Sequence, residues 1–146
     1  GDGTLARTLS GRGIETIRCA DAPRGMGATL AEAVQLLPRW EAVLVALGDM
    51  PWPRPESIAA VAQAVGPASI CVPCHGGHRG HPVAFGACFL PELAALDGDR
   101  GARELLLRHA AVVRDLPVDD PGVLRDVDRP VDLQRPPPDP GNHCRR

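Results

Sequence analysis

The sequence has 146 residues, of which 44% are hydrophobic, and this length suits a single domain with one core. The net charge is −2 with both signs interspersed, and the chain has two Trp, two Phe and no Tyr, which argues against a nucleic-acid binder and against a polybasic membrane-surface protein. No apolar run is long enough to span a bilayer, the first residues show no signal pattern, and five scattered Cys do not indicate a disulfide framework, so we expect a cytoplasmic protein.

Apolar patterning predicts strands and helices that alternate along the chain. Short alternating or continuous apolar runs predict strands at residues 13–19, 41–47, 68–73, 81–85, 111–116 and 123–127. Apolar stripes at helical spacing predict helices at residues 26–37, from Pro55 onward, and at 91–96 and 102–109. We expect Pro38 to end the first helix, and the apolar face of the second to be formed by Ile58, Val61, Ala62 and Val65.

The alternation predicts an α/β fold with an open, mostly parallel sheet and right-handed crossovers. Residues 1–134 form the predicted domain, and the Pro-rich, polar residues 135–146 are expected to be a disordered tail. Sheets of this kind bind ligands at the carboxyl ends of their strands. The candidate functional residues should therefore follow predicted strands.

Two acidic segments follow predicted strands. In "VLVALGDMP", Asp49 comes after a buried strand, where a carboxylate is well placed to hold a divalent cation beside phosphate oxygens. The alternative is that Asp49 forms an Asx-type turn before Pro51. Asp126 and Asp128 in "LRDVDRPVDL" could supply a second carboxylate, or could cap a short helix that begins near Pro130.

Two Gly-rich segments precede predicted helices. In "APRGMGATL", backbone N–H groups at a helix start could meet a polar or anionic ligand, although a plain loop-to-helix turn explains the pattern about as well. In "GDRGARELL", Arg100 or Arg103 could clamp a phosphate or carboxylate, whereas Asp97 and Asp99 also suit an ordinary capped helix start.

A third segment carries metal-binding residue types. Cys71, Cys74 and His75 spell C-x-x-C-H, the pattern of c-type haem attachment, and His78 and His81 follow at steps of three. Haem attachment belongs to exported proteins, and the intervening loop is too short to let four zinc ligands converge. Coincidence in a hairpin is the favoured interpretation, and whether these residues bind any metal stays open.

The order of the motifs identifies a family. "RGMGATL", "VLVALGDMP", "GHRGHPVAF", "GDRGARELL" and "RDVDRPVDL" occur in the order found in MobA-like NTP transferase domains, and the chain resembles the molybdenum cofactor cytidylyltransferases most closely. The resemblance covers about residues 1–134. It implies a Rossmann-like three-layer fold, similar to nucleotide-diphospho-sugar transferases, and transfer of CMP from CTP to the terminal phosphate of molybdopterin, with Mg²⁺ and release of pyrophosphate.

The resemblance also implies roles for residues of this chain. Asp49 matches the family's metal-binding catalytic acid, and Asp128 matches the acid that completes the metal site. The remaining matches are a nucleotide-binding loop and a set of acceptor-binding residues. The nucleotide-binding loop comprises Gly25, Met26, Gly27 and Thr29, and the acceptor-binding residues are Gly80, His81 and Pro82. Arg103 matches the arginine of the family's "GAR" motif, a further substrate-binding residue.

One departure from the family concerns its phosphate-binding loop. The family begins with a strand and "LAAG-x-S-x-R-M-G-x-x-K", and residues 1–20 match neither, so we expect an N-terminally truncated domain that lacks the first strand and loop. Attack on the α-phosphorus needs positive charge on the leaving pyrophosphate. Because the sequence contains no Lys, we expect little or no transferase activity from this chain itself.

Other functions remain open at this stage. GTP could replace CTP, and another phosphorylated or hydroxyl acceptor could replace molybdopterin, because a fold does not fix its substrate. A chain of this kind could also act without catalysis, by binding the finished cofactor as an insertion partner of a molybdenum hydroxylase.

Overall fold

The computed structural model describes residues 3–36 and 40–134, with the side chain of Arg100 left out. The helices are α1 Thr4–Ser10, α2 Met26–Gln35, α3 Pro55–Ala64, α4 Leu90–Leu93 and α5 Arg103–Arg108. The strands are β1 Ala42–Val45, β2 Ile70–His75, β3 His78–Arg79, β4 Val83–Gly86 and β5 Val113–Pro117. Short 3₁₀ turns occupy Ala22–Arg24, Ala87–Phe89, Gly98–Arg100, Ala110–Val112, Pro121–Leu124 and Pro130–Gln134.

One mixed sheet forms the centre of the described fold. Strand β4 pairs antiparallel with both β1 and β2, so β1 and β2 run in the same direction. Strand β5 pairs parallel with β2 on its other side, and the short β3 forms a hairpin with the end of β2. Strands β1, β2 and β5 are therefore parallel, and their carboxyl ends lie at one edge of the sheet, as the sequence predicts.

Helices cover both faces of the sheet. On one face, α2, α4 and α5 pack on a cluster that includes Ile70, Val72 and Phe85. On the other face, α3 packs through Val61 on Cys71 and on its neighbours. Alternate residues of a strand point to opposite faces, so the continuous apolar run in β2 fills both cores at once. The three-layer arrangement of the α/β prediction is confirmed.

Several predicted elements have different bounds. The predicted apolar face of α3 is only partly used, because Val61 is fully buried whereas Ile58 is 40% exposed. The polar loop predicted after β2 is instead a tight hairpin, in which β2 continues to His75 and pairs with β3 through the turn at Gly76. The predicted end of the first helix at Pro38 and the predicted tail at 135–146 lie outside the described residues.

Two predicted strands are wrong. Residues 13–19 pair with no described strand. The chain that follows them is bound to a helix instead, because the Glu32 carboxylate of α2 accepts hydrogen bonds from the backbone N–H groups of Ala20 and Asp21, each at 3.0 Å. The strand predicted at 123–127 is replaced by a 3₁₀ turn and an irregular segment, because the Asp120 carboxylate binds the N–H of Gly122 and closes the chain into a turn.

No helix in residues 3–36 or 40–134 has the length and apolar character needed to cross a bilayer.

Candidate functional site

Asp49 lies just beyond the carboxyl end of β1, as predicted. The turn that carries it is closed by the backbone, with the Met50 N–H donating to the Leu47 carbonyl at 3.2 Å. The exposed Asp49 carboxylate makes no hydrogen bond within the described part of the chain, so it does not form the Asx turn considered above. Its backbone carbonyl accepts the Val127 N–H at 2.8 Å, which brings the second acidic segment alongside.

A small cavity of about 260 Å³ joins the two acidic segments. Asp49 and Asp126 both line it, although 77 positions separate them in the sequence (126 − 49). Asp128, the predicted partner of Asp49, is exposed and does not line this cavity. After Val127 the chain enters a turn in which the Arg129 N–H donates to the Asp132 carboxylate at 2.8 Å. The structure thus favours Asp126 over Asp128 as the neighbour of Asp49, and the role of Asp128 stays a prediction.

A larger cavity of about 860 Å³ adjoins the small one, between the sheet and helices α2 and α5. Its walls are mostly apolar, from side chains such as Leu30, Val45 and Phe85. Five of the predicted site residues line it: Met26, Thr29, Gly80, His81 and Arg103. A mostly apolar cleft with a few polar groups is typical of a small-molecule site.

Gly25 and Gly27 have a structural role in this cleft. A side chain on Gly27 would collide with the backbone at Gly98 and Asp97, and one on Gly25 would collide with the same loop. Gly25 also has a φ of 119°, in the region that favours glycine. These two residues let the start of α2 pack against the loop that precedes α5, and neither lines the cavity. Their predicted contact with a nucleotide has no support from the cavity lining and stays a prediction.

Gly80, His81 and Pro82 lie immediately before β4, where the two cavities meet. Gly80 is buried against the Val123 backbone, which leaves no room for a side chain. The His81 N–H donates to the Val123 carbonyl at 2.8 Å, and the His81–Pro82 peptide bond is cis. Pro82 is buried and lines neither cavity. These contacts fasten β4 to the segment that carries Asp126.

The imidazole of His81 is only half-buried, but its Nδ1 atom is buried and has no hydrogen-bond partner in the part of the chain that the structure describes. Burial lowers the pKa of His81, whereas the Val45 carbonyl and the charge of Asp49 act in the opposite direction. The lowered pKa favours the neutral ring, in which one nitrogen donates a hydrogen bond and the other accepts one.

Sequence reasoning missed two residues. Arg79 lines both cavities and forms a bidentate ion pair with Asp115 on β5, with Nε to Oδ1 at 2.7 Å and Nη2 to Oδ2 at 3.2 Å. Asp120 is 1% exposed and binds the start of α3 through the Arg54 N–H and the Ser57 hydroxyl. The "GHRGH" motif could have indicated Arg79, whereas no local pattern marks Asp120.

The C-x-x-C-H segment does not form a metal site. Cys71 and Cys74 are an odd number of residues apart on β2, so their side chains point to opposite faces of the sheet. Cys71 is fully buried under α3, and this burial raises the pKa of its thiol. Nδ1 of His75 lies 3.0 Å from the Val118 carbonyl. The favoured interpretation, coincidence in a hairpin, agrees with this geometry.

Within residues 3–36 and 40–134, no three His, Cys, Asp or Glu side chains gather in a way that could hold a metal ion. Mg²⁺ is usually bound by only one or two carboxylates, with water and substrate phosphate oxygens as its remaining ligands. The pair Asp49 and Asp126 on an open cavity fits that donor set. The chemistry of these residues therefore suits a phosphate-bound divalent cation better than a closed structural site.

Comparison with solved structures gives several similar proteins. The crystal structure of Rv0371c from Mycobacterium tuberculosis H37Rv is 31% identical, with 90% of this chain and 70% of that chain covered and a TM-score of 0.70. A complex of the same protein with manganese is 29% identical over 90% of this chain and 72% of that chain, with a TM-score of 0.71. A nucleotidyl transferase from Methanothermobacter thermautotrophicus has a TM-score of 0.74 at 20% identity, with 90% and 65% covered. It supports the fold alone.

Curated proteins include no significant match. The model of one protein family, described as the MobA-like NTP transferase domain, matches residues 1–112. This match takes in the Gly-rich start of α2, Asp49, the "GHRGHP" segment and Arg103. Together with the sheet topology and the paired cavities, it shows that the chain belongs to the MobA-like NTP transferase domain family and is a nucleotidyltransferase.

Proposed function

We propose that this chain is the catalytic domain of a molybdenum cofactor cytidylyltransferase, which transfers CMP from CTP to the terminal phosphate of molybdopterin and releases pyrophosphate. The observation that carries the proposal is the pair of carboxylates, Asp49 and Asp126, on a small cavity that opens beside a large apolar cleft. The pair suits a cation on the nucleotide phosphates, and the cleft is large enough for an extended ring system beside it.

The proposed metal is Mg²⁺, held by Asp49 and Asp126. Manganese in the related mycobacterial protein supports a divalent cation in this fold. When bound, such a cation supplies positive charge at the phosphate oxygens where charge develops during transfer. Asp49 is well suited to this role because its carboxylate is exposed and free of competing hydrogen bonds within the described residues, so no protein contact must be broken for it to bind.

The walls of the large cleft are proposed to bind the two substrates. Met26 and Thr29 at the start of α2 face the cleft from one side and would contact the nucleotide. His81 and Arg103 line it with Gly80, and would contact the acceptor. The apolar walls exclude water from the reacting phosphates, which strengthens every charge interaction in the site. The preference for CTP over GTP rests on the resemblance to the cytidylyltransferases.

Binding of metal and nucleotide tests this proposal directly. We expect low turnover from the 146-residue chain, because it contains no Lys to neutralise the leaving pyrophosphate. Isothermal titration should nevertheless show Mn²⁺-dependent binding of CTP that is tighter than binding of GTP. Asp49→Asn should abolish the Mn²⁺ dependence, whereas Asp119→Asn, which changes an exposed acid that lines neither cavity, should not.

Several results would contradict all or part of the proposal. If CTP binding is the same with and without Mn²⁺, or if Asp49→Asn leaves the Mn²⁺ dependence intact, Asp49 does not hold the metal. Equal binding of CTP and GTP would leave a nucleotidyltransferase but remove the cytidylyl assignment. Binding of the finished dinucleotide cofactor with no binding of CTP would favour the non-catalytic carrier.

A further inference from the structure

The junction between the two cavities has an unusual set of side chains. Four residues line both cavities: Leu47, Arg79, Gly80 and His81. Two of them carry hydrogen-bond donors on their side chains. One is a permanently charged guanidinium, and the other is an imidazole whose buried Nδ1 atom has no hydrogen-bond partner among the described residues. A buried polar atom without a partner costs about 1–3 kcal/mol, so it usually has a ligand or a functional reason.

The side chain of Arg79 forms an ion pair across the sheet. Strands β3 and β5 lie on opposite sides of β2, so the side chain of Arg79 crosses β2 to reach Asp115. The Asp115 carboxylate accepts hydrogen bonds from Nε and Nη2 of Arg79, and Nη1 makes no hydrogen bond within the described residues. Contact with Asp115 raises the pKa of Arg79, so its charge is constant. Both side chains of this ion pair are 47% exposed, so the pair orients the guanidinium at the surface of the cavities and leaves Nη1 open to a phosphate.

The negative charges around the junction explain why a positively charged side chain is needed there. In nucleotidyl transfer, an oxygen of the acceptor phosphate forms a bond to the α-phosphorus, and the bond from the α-phosphorus to the bridging oxygen breaks as pyrophosphate leaves with the electron pair. Two anionic phosphates must approach each other, beside the carboxylates Asp49 and Asp126. The chain has no Lys, and Arg79 and Arg103 are the only Arg side chains among the described residues that line the two cavities.

We propose that Arg79, oriented by Asp115, and His81 form a phosphate-binding subsite at the junction of the two cavities, which holds the phosphomonoester of the acceptor. Arg79 lines the small cavity with the metal-binding pair and also the large cleft, so a phosphate bound there lies between the two. The subsite rests on the proposed function, and it names the residues that fix the attacking phosphate. It requires the acceptor to be a phosphomonoester and not an alcohol.

The experiment is isothermal titration calorimetry, which measures the affinity of the full chain for methyl phosphate and, separately, for CTP in the presence of Mn²⁺. Arg79→Gln should weaken methyl phosphate binding at least about tenfold, since a charged hydrogen bond is worth about 1.5–3 kcal/mol. Arg79→Lys keeps the positive charge but not the paired N–H donors of the guanidinium, and should lose part of the affinity for methyl phosphate. Arg114→Gln is the matched control: this neighbouring exposed Arg donates to the Ala64 carbonyl and lines neither cavity.

The outcomes separate the alternatives. If Arg79→Gln weakens CTP binding and leaves methyl phosphate binding unchanged, Arg79 serves the nucleotide phosphates and the acceptor assignment is wrong. If neither ligand is affected, or if wild-type protein binds no methyl phosphate at millimolar concentration, the subsite does not exist. Thermal melting should show that the Arg79→Gln protein remains folded. Asp49→Asn should abolish Mn²⁺-dependent CTP binding without weakening methyl phosphate binding, so failure of the proposed function is distinguishable from failure of the subsite.

Discussion

Replacement of the buried Asp120 should destabilise the protein more than replacement of any nearby acid. Its carboxylate accepts three hydrogen bonds: from the Arg54 N–H at 2.8 Å, the Ser57 hydroxyl at 2.7 Å and the Gly122 N–H at 2.9 Å. These bonds join the start of α3 to the loop after β5. Because Asp49 precedes α3 and Asp126 follows the loop after β5, we expect loss of these bonds to disturb the two candidate metal ligands as well.

The expected magnitude follows from these contacts. A hydrogen bond to a charged group contributes about 1.5–3 kcal/mol, and removal of one partner of a buried charged network typically costs about 3–5 kcal/mol. We therefore expect Asp120→Ala to lower the free energy of unfolding by about 4 kcal/mol, because two backbone N–H groups and one hydroxyl lose their acceptor. Asp120→Asn keeps the shape and one acceptor oxygen, and should cost about half as much.

Urea unfolding followed by tryptophan fluorescence measures this change. The control is Asp119→Ala, because Asp119 is exposed and only its backbone carbonyl contacts Arg54, at 3.2 Å. The control should change the free energy of unfolding by less than about 0.5 kcal/mol. If Asp120→Ala costs less than about 1 kcal/mol, the hydrogen-bonded network does not hold the two loops as described. If that variant fails to fold, Asp120→Asn still provides the comparison.

Three further predictions concern packing, pH dependence and thiol reactivity. Gly86→Ala should destabilise the fold by about 2 kcal/mol in the same urea assay, because a Cβ there would collide with the backbone before β2; no change would contradict this close approach. Two backbone N–H groups lower the pKa of Glu32, so its stabilising contribution is present above the ordinary pKa of Glu and is lost as the pH falls through the lowered pKa. Glu32→Gln should flatten that part of the unfolding profile, and an unaltered profile would refute it. Iodoacetamide should alkylate the exposed Cys88 in the native protein but Cys71 only after unfolding, as mass spectrometry would show; equal labelling would mean that β2 is accessible.

Local sequence patterns predicted the elements that carry the site. The apolar run before Asp49 and the stripe that begins at Met26 each describe one element, and both elements form where predicted. The strand predicted at 13–19 failed because alternation shows only that a segment could be a strand. Whether it becomes one depends on a partner strand, and here the Glu32 carboxylate of α2 takes the backbone donors that follow.

The candidate site was predicted less completely, for a similar reason. Asp126 and Asp128 stand in the same acidic segment of the sequence, and only the structure shows that Asp126 lines the small cavity with Asp49 while Asp128 does not. Arg79 and Asp115 are far apart in the sequence, and only the order of strands around β2 brings them together. The role of Asp120 depends on its contacts with the start of α3, which is distant in the sequence. Each of these is a tertiary relationship that no local window contains.

The central claim is that Asp49 and Asp126 together form the divalent-cation site of this nucleotidyltransferase. Titration of Mn²⁺ followed by electron paramagnetic resonance, in the presence of CTP, tests it most directly. Asp126→Asn should weaken Mn²⁺ binding at least about tenfold, which corresponds to about 1.4 kcal/mol, and Asp128→Asn should leave it nearly unchanged. A loss of Mn²⁺ affinity in Asp128→Asn, with wild-type affinity in Asp126→Asn, would contradict the proposed Asp49–Asp126 site.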